Sequence, residues 1–186
     1  MASTTATVPG YITGTWTLDP THSDIGFTVR HLMVSKVRGK FTRFEGKLVT
    51  GANPLESSVT ATIELDSIDT GEPNRDAHIR SADFFDVDTH KTMTYRSTGV
   101  RQSGSDFVLD GELSLHGVTK QVPLTVEVNG FLPESPMGTR VGFSATGEIS
   151  RKEFGIDINM PLDGGGVVIG DKISLHLEVE AILDNA

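Results

Sequence analysis

The chain has 186 residues, no cysteine, and 25 acidic against 16 basic side chains, which gives a formal net charge of −9 at pH 7. This length is typical of one domain that buries roughly 70% of its unfolded surface. The lack of cysteine excludes disulfides, thiolate zinc sites and cysteine nucleophiles, and the negative charge disfavours nucleic acid and anionic bilayer surfaces as partners.

The first eleven residues, M-A-S-T-T-A-T-V-P-G-Y, contain neither the basic region nor the apolar core of a secretion signal. No later stretch reaches the length of about 18 apolar residues that a transmembrane helix needs. We therefore expect a cytoplasmic protein without stable membrane insertion. We expect a disordered tail over residues 1–12 and one domain over residues 13–186.

Apolar residues alternate with polar ones along most of the domain, which predicts antiparallel strands with one buried face. A change of parity between Phe41 and Phe44 predicts a β-bulge, and Pro123 predicts the start or the edge of a strand. In chain order, the runs cover Trp16 and Leu18, then residues 25–29, 41–48, 59–65, 93–95, 107–115, 122–128, 141–145 and 173–179.

The segment 73–82 is the one that has a helical pattern. Pro73 suits a first helical position, and Asp76 is four residues before Arg80, which predicts an ion pair on one helical face. Ile79 and Ala82 form a narrow apolar stripe. About eight or nine antiparallel strands with one short helix fit either a β-sandwich or an up-and-down barrel.

Five strings occur in order along nearly the whole domain, from about residue 14 to residue 183. They are W-T-L-D-P-T-H-S-D-I-G-F-T-V-R-H from Trp16, F-T-R-F-E-G from Phe41, R-D-A-H-I-R-S-A-D-F-F-D from Arg75, L-S-L-H-G-V-T-K from Leu113 and R-K-E-F-G-I from Arg151. Together they resemble the YceI-like family of lipid-binding proteins.

This resemblance implies an all-β fold, a single antiparallel, lipocalin-like closed β-barrel of about eight strands with one short helix. It also implies an apolar cavity for a polyisoprenoid or similar amphiphilic lipid, and binding without turnover or a cofactor. Two features depart from the family pattern. Many members carry a secretion signal, and many have a proline after the aromatic pair where this chain reads D-T-H-K-T-M-T-Y from Asp88.

The inward-facing positions predicted by parity contain residues of very different size. An eight-stranded barrel is about the size at which the interior is either filled by side chains or holds one small ligand. The pattern alone does not decide between these cases, because a sandwich core uses the same residues. The large candidates for the cavity wall are Phe27, Phe41, Met93, Tyr95 and Phe143, and the small ones are Gly26, Gly46, Gly111, Ala61 and Ala145.

Period-two burial also predicts which strands share an interior. The odd-numbered residues of 107–115 and of 173–179 should face one common space, together with Phe143.

The helix offers candidate contacts for a polar head group. Arg75 and His78 are three residues apart on one helical face and precede Phe84 and Phe85. They could donate charge-assisted hydrogen bonds to a phosphate, carboxylate or quinone oxygen. The alternative is a capped surface helix with both phenylalanines in the core.

Two further candidates come later in the chain. Arg151, with Lys152 and Phe154, forms a second cation and aromatic cluster, for which a solvent-facing turn is the favoured alternative. Met160, next to Pro161, could line an entrance or simply pack against the barrel.

The six histidines include no two that are two, three or four residues apart, so their spacing predicts no metal site. His31 is also a candidate for the cavity wall. The predicted function is binding of a polyisoprenoid or quinone-like lipid for storage, sequestration or transport, and a homodimer is left open. One alternative is an enzyme in which His31 or His116 faces the cavity with a carboxylate behind it. The other is a stress-linked structural protein without a ligand.

Overall fold

The structure is a computed structural model, and it describes residues 7–32, 34–158 and 169–184. One helix, α1, spans Pro73–Arg80, and short 3-10 turns lie at Pro20–His22, Pro54–Glu56, Leu65–Ser67 and Arg151–Phe154. The strands are β1 (Gly14–Leu18), β2 (Asp24–His31), β3 (Ser35–Phe41), β4 (Phe44–Thr50), β5 (Ser58–Glu64), β6 (Ile68–Asp69), β7 (Thr92–Ser103), β8 (Asp106–Leu115), β9 (Val118–Gln121), β10 (Leu124–Leu132), β11 (Arg140–Ser150) and β12 (Ile169–Leu183).

Eight strands form a closed antiparallel ring in the order β1, β4, β5, β7, β8, β10, β11 and β12. The long strand β12 closes the ring because its last residues pair with β1, where Trp16 is opposite Leu183. Its first half pairs with β2, where Val29 is opposite Ile173. The prediction of a closed eight-stranded barrel with one helix is therefore confirmed, and a sandwich is excluded.

At one end of the barrel β2, β3 and β6 extend the sheet from β12, because β2 pairs with the first half of β12, β3 pairs with β2, and β6 pairs with β3. The change of parity between Phe41 and Phe44 is the break between β3 and β4, so the predicted bulge is wrong. At this break the chain changes partners, since β4 pairs with β5 whereas β3 pairs with β2 and β6.

The predicted parity of β8 and β12 is confirmed. The odd-numbered side chains of both strands border one interior space together with Phe143; they are Phe107, Leu109, Leu113, Leu115, Ile173, Leu175, Leu177 and Val179. Gly111 has the same buried parity. Gly26 was predicted to face inward, but it has the opposite parity to Phe27 and lies across from Lys40 and His176 on the outer face.

Helix α1 begins with the Glu72 carboxylate, which accepts hydrogen bonds from the backbone nitrogens of Asn74 and Arg75. The predicted Asp76–Arg80 ion pair is wrong. Asp76 accepts hydrogen bonds from the backbone and side chain of Thr70, and Arg80 donates to the carbonyl oxygens of Asp66 and Ile68. Asp76 thus holds α1 to the turn before it, and Arg80 holds α1 to β6 and to the 3-10 turn that precedes β6. Within the described ranges, no helix has the length and apolar character needed to span a bilayer.

The segment before β1 is only partly described. Tyr11 Oη donates to the carbonyl oxygen of Gly51 at 2.6 Å, and its ring packs edge-on against Phe131 with 5.4 Å between centroids. These contacts cross one end of the barrel. The predicted disordered tail over residues 1–12 and the domain bounds 13–186 stay predictions, because residues 1–6, 159–168 and 185–186 are outside the described ranges.

Candidate functional site

A cavity of about 380 Å³ runs through the barrel and is bordered by side chains from all eight strands of the ring. This volume is within the range of about 300–1,000 Å³ that small-molecule sites occupy. Its wall is almost entirely apolar along its length, with side chains of Leu, Ile, Val and Phe from β5, β8, β11 and β12. The interior therefore favours an apolar molecule.

One end of the cavity is tightly packed, and we call it the packed end. Trp16 is fully buried there, 5.7 Å from the ring of Phe131, and its Nε1 donates to Thr50 Oγ1 at 2.9 Å. Thr50 Oγ1 in turn donates to the carbonyl oxygen of Ile12 at 2.8 Å. Because these polar atoms are satisfied by each other, the packed end offers a ligand few hydrogen-bond partners.

The arginine and histidine side chains of the wall lie at the other end, which we call the helix end because α1 lies there. Thr70, Arg75 and His78 border the cavity at α1, and Arg30 and His31 border it from β2. Arg30 and His78 are exposed, so the cavity reaches the protein surface at this end.

A layer of aromatic rings separates α1 from the apolar interior. Phe41 is 5.8 Å from Phe27 and 6.1 Å from Phe85, measured between ring centroids. Phe84 packs against the His78 ring at 5.0 Å in an edge-on arrangement. All four phenylalanines border the cavity; Phe84 is buried in the core and Phe85 packs against it.

The two cationic candidates on α1 already have partners. Arg75 donates through Nε to Thr70 Oγ1 at 2.7 Å and through Nη2 to the Thr70 carbonyl oxygen at 2.8 Å. His78 Nε2 is 3.0 Å from Asp83 Oδ2, and both side chains are about half exposed. Arg75 Nη1 has no hydrogen-bond partner within the described ranges.

Arg151 is buried, and the expectation of a solvent-facing turn is wrong. Only 4% of Arg151 and 1% of Phe154 are exposed. The guanidinium donates to the carbonyl oxygens of Ile156, Ile158, Ile169 and Gly170 at 2.8–3.1 Å. It thus joins the chain before residue 159 to the start of β12. Arg151 also borders the cavity.

Tyr95 is fixed in the barrel wall by two contacts. Its hydroxyl donates to the Val122 carbonyl oxygen at 2.8 Å, and its ring covers Gly111, where a Cβ atom would come within 2.4 Å of the ring. Burial raises the pKa of the Tyr95 hydroxyl well above its usual value. The hydroxyl therefore stays protonated and serves to satisfy a strand carbonyl.

Eleven of the twelve predicted ligand-binding residues border the cavity. Met160 lies outside the described residues. Their contact with a ligand stays a prediction. Sequence reasoning missed Thr70, which the irregular turn between β6 and α1 hides from any periodic pattern, and Tyr11, which was assigned to the tail. The eleven are Phe27, His31, Phe41, Arg75, His78, Phe84, Phe85, Met93, Tyr95, Phe143 and Arg151.

The sequence pattern of the YceI-like domain matches residues 16–181, which is nearly the whole barrel. The chain belongs to the YceI-like family. Among its relatives is a UPF0312 protein of Staphylococcus epidermidis, 37% identical over 169 residues that cover 90% of this chain and 96% of the relative. A UPF0312 protein of Staphylococcus aureus strain USA300 is 36% identical over 168 residues, with 89% and 95% covered.

Solved structures share this YceI-like barrel. The YceI protein of Campylobacter jejuni superposes with a TM-score of 0.72 at 26% identity, over 96% of this chain and all of that one. BcnA of Burkholderia cenocepacia gives 0.75 at 18% identity, over 88% and 98%. A domain from Saccharophagus degradans, described as polyisoprenoid binding and implicated in plant cell wall breakdown, gives 0.68 at 16% identity, over 93% and 100%.

The histidines of this YceI-like barrel do not assemble the predicted acid–base pair within the described ranges. His31 borders the cavity without a bonded carboxylate. His116 is not in the cavity wall; its Nδ1 is 3.0 Å from the Phe154 carbonyl oxygen, and its ring is 4.8 Å from His90.

One group of side chains on the outside of the barrel has the composition of a metal site. Asp19, His22 and Glu180 lie together, but Arg140 Nη1 is 2.8 Å from both carboxylates. The hydrogen bond from Arg140 lowers the pKa of Asp19 to about 2. A divalent cation would have to displace this guanidinium, so the group forms an ion-pair network that joins β11 and β12 to the turn between β1 and β2.

Proposed function

We propose that the protein binds one amphiphilic lipid with an isoprenoid-type chain inside the barrel and stores, sequesters or transports it. The observation that carries this proposal is the continuous cavity, apolar from the packed end to α1, with its charged side chains at one end only. Membership of the YceI-like family supports it, as does the likeness to a domain described as polyisoprenoid binding.

The distribution of polar groups determines the proposed orientation of the lipid. A polar head at the packed end would lose its hydration without gaining hydrogen bonds, which costs several kcal/mol. At the helix end, Arg75 and His78 can donate to a phosphate, carboxylate or quinone oxygen close to solvent. The chain therefore lies inside the barrel, with its end toward Trp16 and its head under α1.

The two alternative functions have less support. A filled, structural barrel does not fit a cavity of about 380 Å³. An enzyme would need an acid–base pair inside the cavity. Of the histidines in the described cavity wall, His78 has a carboxylate partner, and that partner is the exposed Asp83. Cytoplasmic location and a homodimer stay predictions.

Affinity for a series of isoprenoid alcohols of increasing length tests the proposal. Each buried CH₂ contributes about 0.8 kcal/mol until the chain outgrows its container. We expect affinity, measured by displacement of a fluorescent fatty acid, to increase with chain length and then level off. Organic extraction of the protein purified from cells, followed by mass spectrometry, should yield an amphiphile of similar length.

The control for this series is a set of short water-soluble alcohols with the same hydroxyl head, which should not compete. Absence of binding at every chain length, together with an empty extract, would contradict lipid binding and favour the structural alternative.

A further inference from the structure

The hairpin between β2 and β3 exposes apolar side chains at its tip. Val34 is 86% exposed and Leu32 is 39% exposed, and Val34 has the largest exposed fraction among the large hydrophobic residues of the described ranges. Leu32 also has a left-handed backbone with φ of 53°, which is uncommon for a leucine. Single exposed apolar residues are normal on a protein surface. These two side chains alone therefore do not indicate a binding surface, and the residues around them must be considered.

The outer face of the same hairpin is strongly basic. Arg30, Lys36, Arg38 and Lys40 share this face, all are exposed, and Arg30 lies directly opposite Lys36 in the register. We call these four residues the basic face. Like charges directly across a strand pair destabilise it. The nearest acidic position in the register is Asp69, opposite Lys40, and none of the ion pairs within the described ranges includes a residue of the basic face.

The hairpin lies at the helix end of the barrel. His31 is opposite Ile169 at the start of β12, whereas Arg140 is opposite Ile182 near the end of that strand. The stretch of β12 from Ile169 to Ile182 extends over roughly 40 Å. The basic face therefore adjoins the end where Arg30 and His31 border the cavity, and the packed end faces away from it.

We propose that the β2–β3 hairpin docks the protein on an anionic lipid bilayer, with the helix end of the cavity toward the membrane. This inference rests on the proposed lipid binding, since docking in this orientation would place the cavity where a lipid enters or leaves. The partner is a bilayer because one surface combines an apolar tip with unpaired cations, which are the two elements of interfacial binding.

The net charge of −9 does not prevent this docking but orients it. Charges are screened beyond about 10 Å at 0.1 M salt. Acidic side chains on the far half of a barrel roughly 40 Å long therefore lie outside the range of a membrane that touches the hairpin, whereas the exposed Asp66, Asp69 and Asp83 near α1 oppose a close approach of their own part of the helix end. The same charge repels other faces of the protein from an anionic bilayer and keeps the docking weak and reversible.

Flotation with vesicles tests the docking without any cavity ligand. We expect the protein to float with phosphatidylcholine vesicles that contain about one third phosphatidylglycerol, but not with pure phosphatidylcholine, and to be released when salt rises from about 0.05 M to about 0.5 M. The double variant K36E/R38E should bind the anionic vesicles at least twentyfold more weakly, since each cation near the surface contributes about fivefold.

Two matched controls separate this surface from a general charge or apolar effect. K91E/K120E changes the net charge equally at exposed lysines that form no ion pair within the described ranges, and it should float far more than K36E/R38E does. Val34→Ser should weaken binding severalfold, whereas Met137→Ser, which alters a 55% exposed side chain at the packed end, should not.

Folding is not expected to confound the test, because Lys36→Glu places opposite charges across the strand pair and should preserve or raise Tm. Equal flotation of K36E/R38E and the parent, or no flotation of the parent at low salt, would overturn docking. So would tight binding to an oligonucleotide without binding to vesicles. Binding of isoprenoid alcohols in dilute detergent is measured without a bilayer, so docking and lipid binding can each fail while the other holds.

Discussion

The Asp19 carboxylate lies where three parts of the chain meet. Arg140 from β11 donates to it at 2.8 Å, and His22 Nδ1 is 2.8 Å from the same oxygen, Oδ2. Arg140 also donates to Glu180 of β12. Because Arg140 favours the ionised form, the pKa of Asp19 is lowered to about 2 from an ordinary value of 3.8. The native state therefore gains stability from an ionised Asp19.

This stability has a defined pH dependence. A carboxyl group whose pKa is lowered in the folded state stabilises the protein above its unfolded pKa, and the contribution is lost as pH falls through the folded value. We expect Asp19→Asn to lower Tm by about 3 °C at pH 7. Between pH 4 and pH 2, the variant should lose less stability than the parent does.

Thermal unfolding followed by circular dichroism at a series of pH values provides the measurement. Asp184→Asn is the control, because its carboxylate pairs with Lys47 at a more exposed site and should matter less. Parallel curves of Tm against pH for the parent and Asp19→Asn would show that Arg140 does not stabilise the fold through this carboxylate.

Side-chain partners were the least predictable feature at this scale. The spacing of Asp76 and Arg80 predicts an ion pair, yet Asp76 bonds to Thr70 in the turn before α1 and Arg80 bonds to backbone carbonyls at and before β6. Arg151 in R-K-E-F-G-I has the sequence of a surface turn, yet it is buried. In both cases the decisive acceptors are backbone groups whose positions depend on turn geometry, and hydrophobic periodicity contains no information about turn geometry.

Strands and the helix were predicted more reliably than their junctions. The alternation in β8 and β12 correctly indicates their buried faces because the pleat itself has a period of two residues. The break between Phe41 and Phe44 looks like a bulge in the sequence, since a bulge and a change of partner strand both shift the parity by one. Only the pairing of β3 with β6, far along the chain, distinguishes them.

Helix α1 provides a matched pair of arginines for testing the head-group site. Arg75 and Arg80 each donate two hydrogen bonds to the segment before the helix, Arg75 to Thr70 and Arg80 to the carbonyl oxygens of Asp66 and Ile68, but of the two only Arg75 borders the cavity. We expect Arg75→Met and Arg80→Met to lower stability by similar amounts, about 1–2 kcal/mol. Only Arg75→Met should also weaken lipid binding, by about tenfold, because it removes a charged donor.

Displacement of a fluorescent fatty acid gives the affinities, and urea unfolding of the same preparations gives the stabilities. The methyl ester of the same fatty acid should bind both variants equally, since it has no charged head. If Arg75→Met and Arg80→Met weaken binding to the same extent, α1 acts only as a structural cover.

For the whole molecule, the sequence predicts which side chains face inward but not how much space they leave. The inward set mixes Phe143 and Tyr95 with Ala61 and Ala145, and a filled core would have the same composition. The empty volume depends on how far apart the ring of eight strands holds facing walls, and hence on long-range pairings such as that of β1 with β12. The family resemblance, rather than the pattern, predicted the cavity.

Because the cavity has a fixed length, it should limit the length of the lipid chain that can bind. Ala145 on β11 and Ala61 on β5 both border the cavity, and each has room for a larger side chain only at the expense of the ligand. Ala145→Phe should therefore shorten the longest isoprenoid chain that still gains affinity, with little loss of stability. If the two alanines are instead in a filled core, the same change overpacks it and costs about 1–3 kcal/mol.

The chain-length series, repeated with Ala145→Phe, Ala61→Phe and a control, distinguishes these outcomes. Thr146→Phe is the control because Thr146 is the next residue on the same strand and is exposed, so both the optimal length and Tm should match the parent. Lipid binding in the interior predicts a shorter optimum only for the two inward variants. An unchanged optimum in all three variants would mean that the chain does not pass Ala145 or Ala61. Loss of stability without any chain-length effect would mean that the barrel is full.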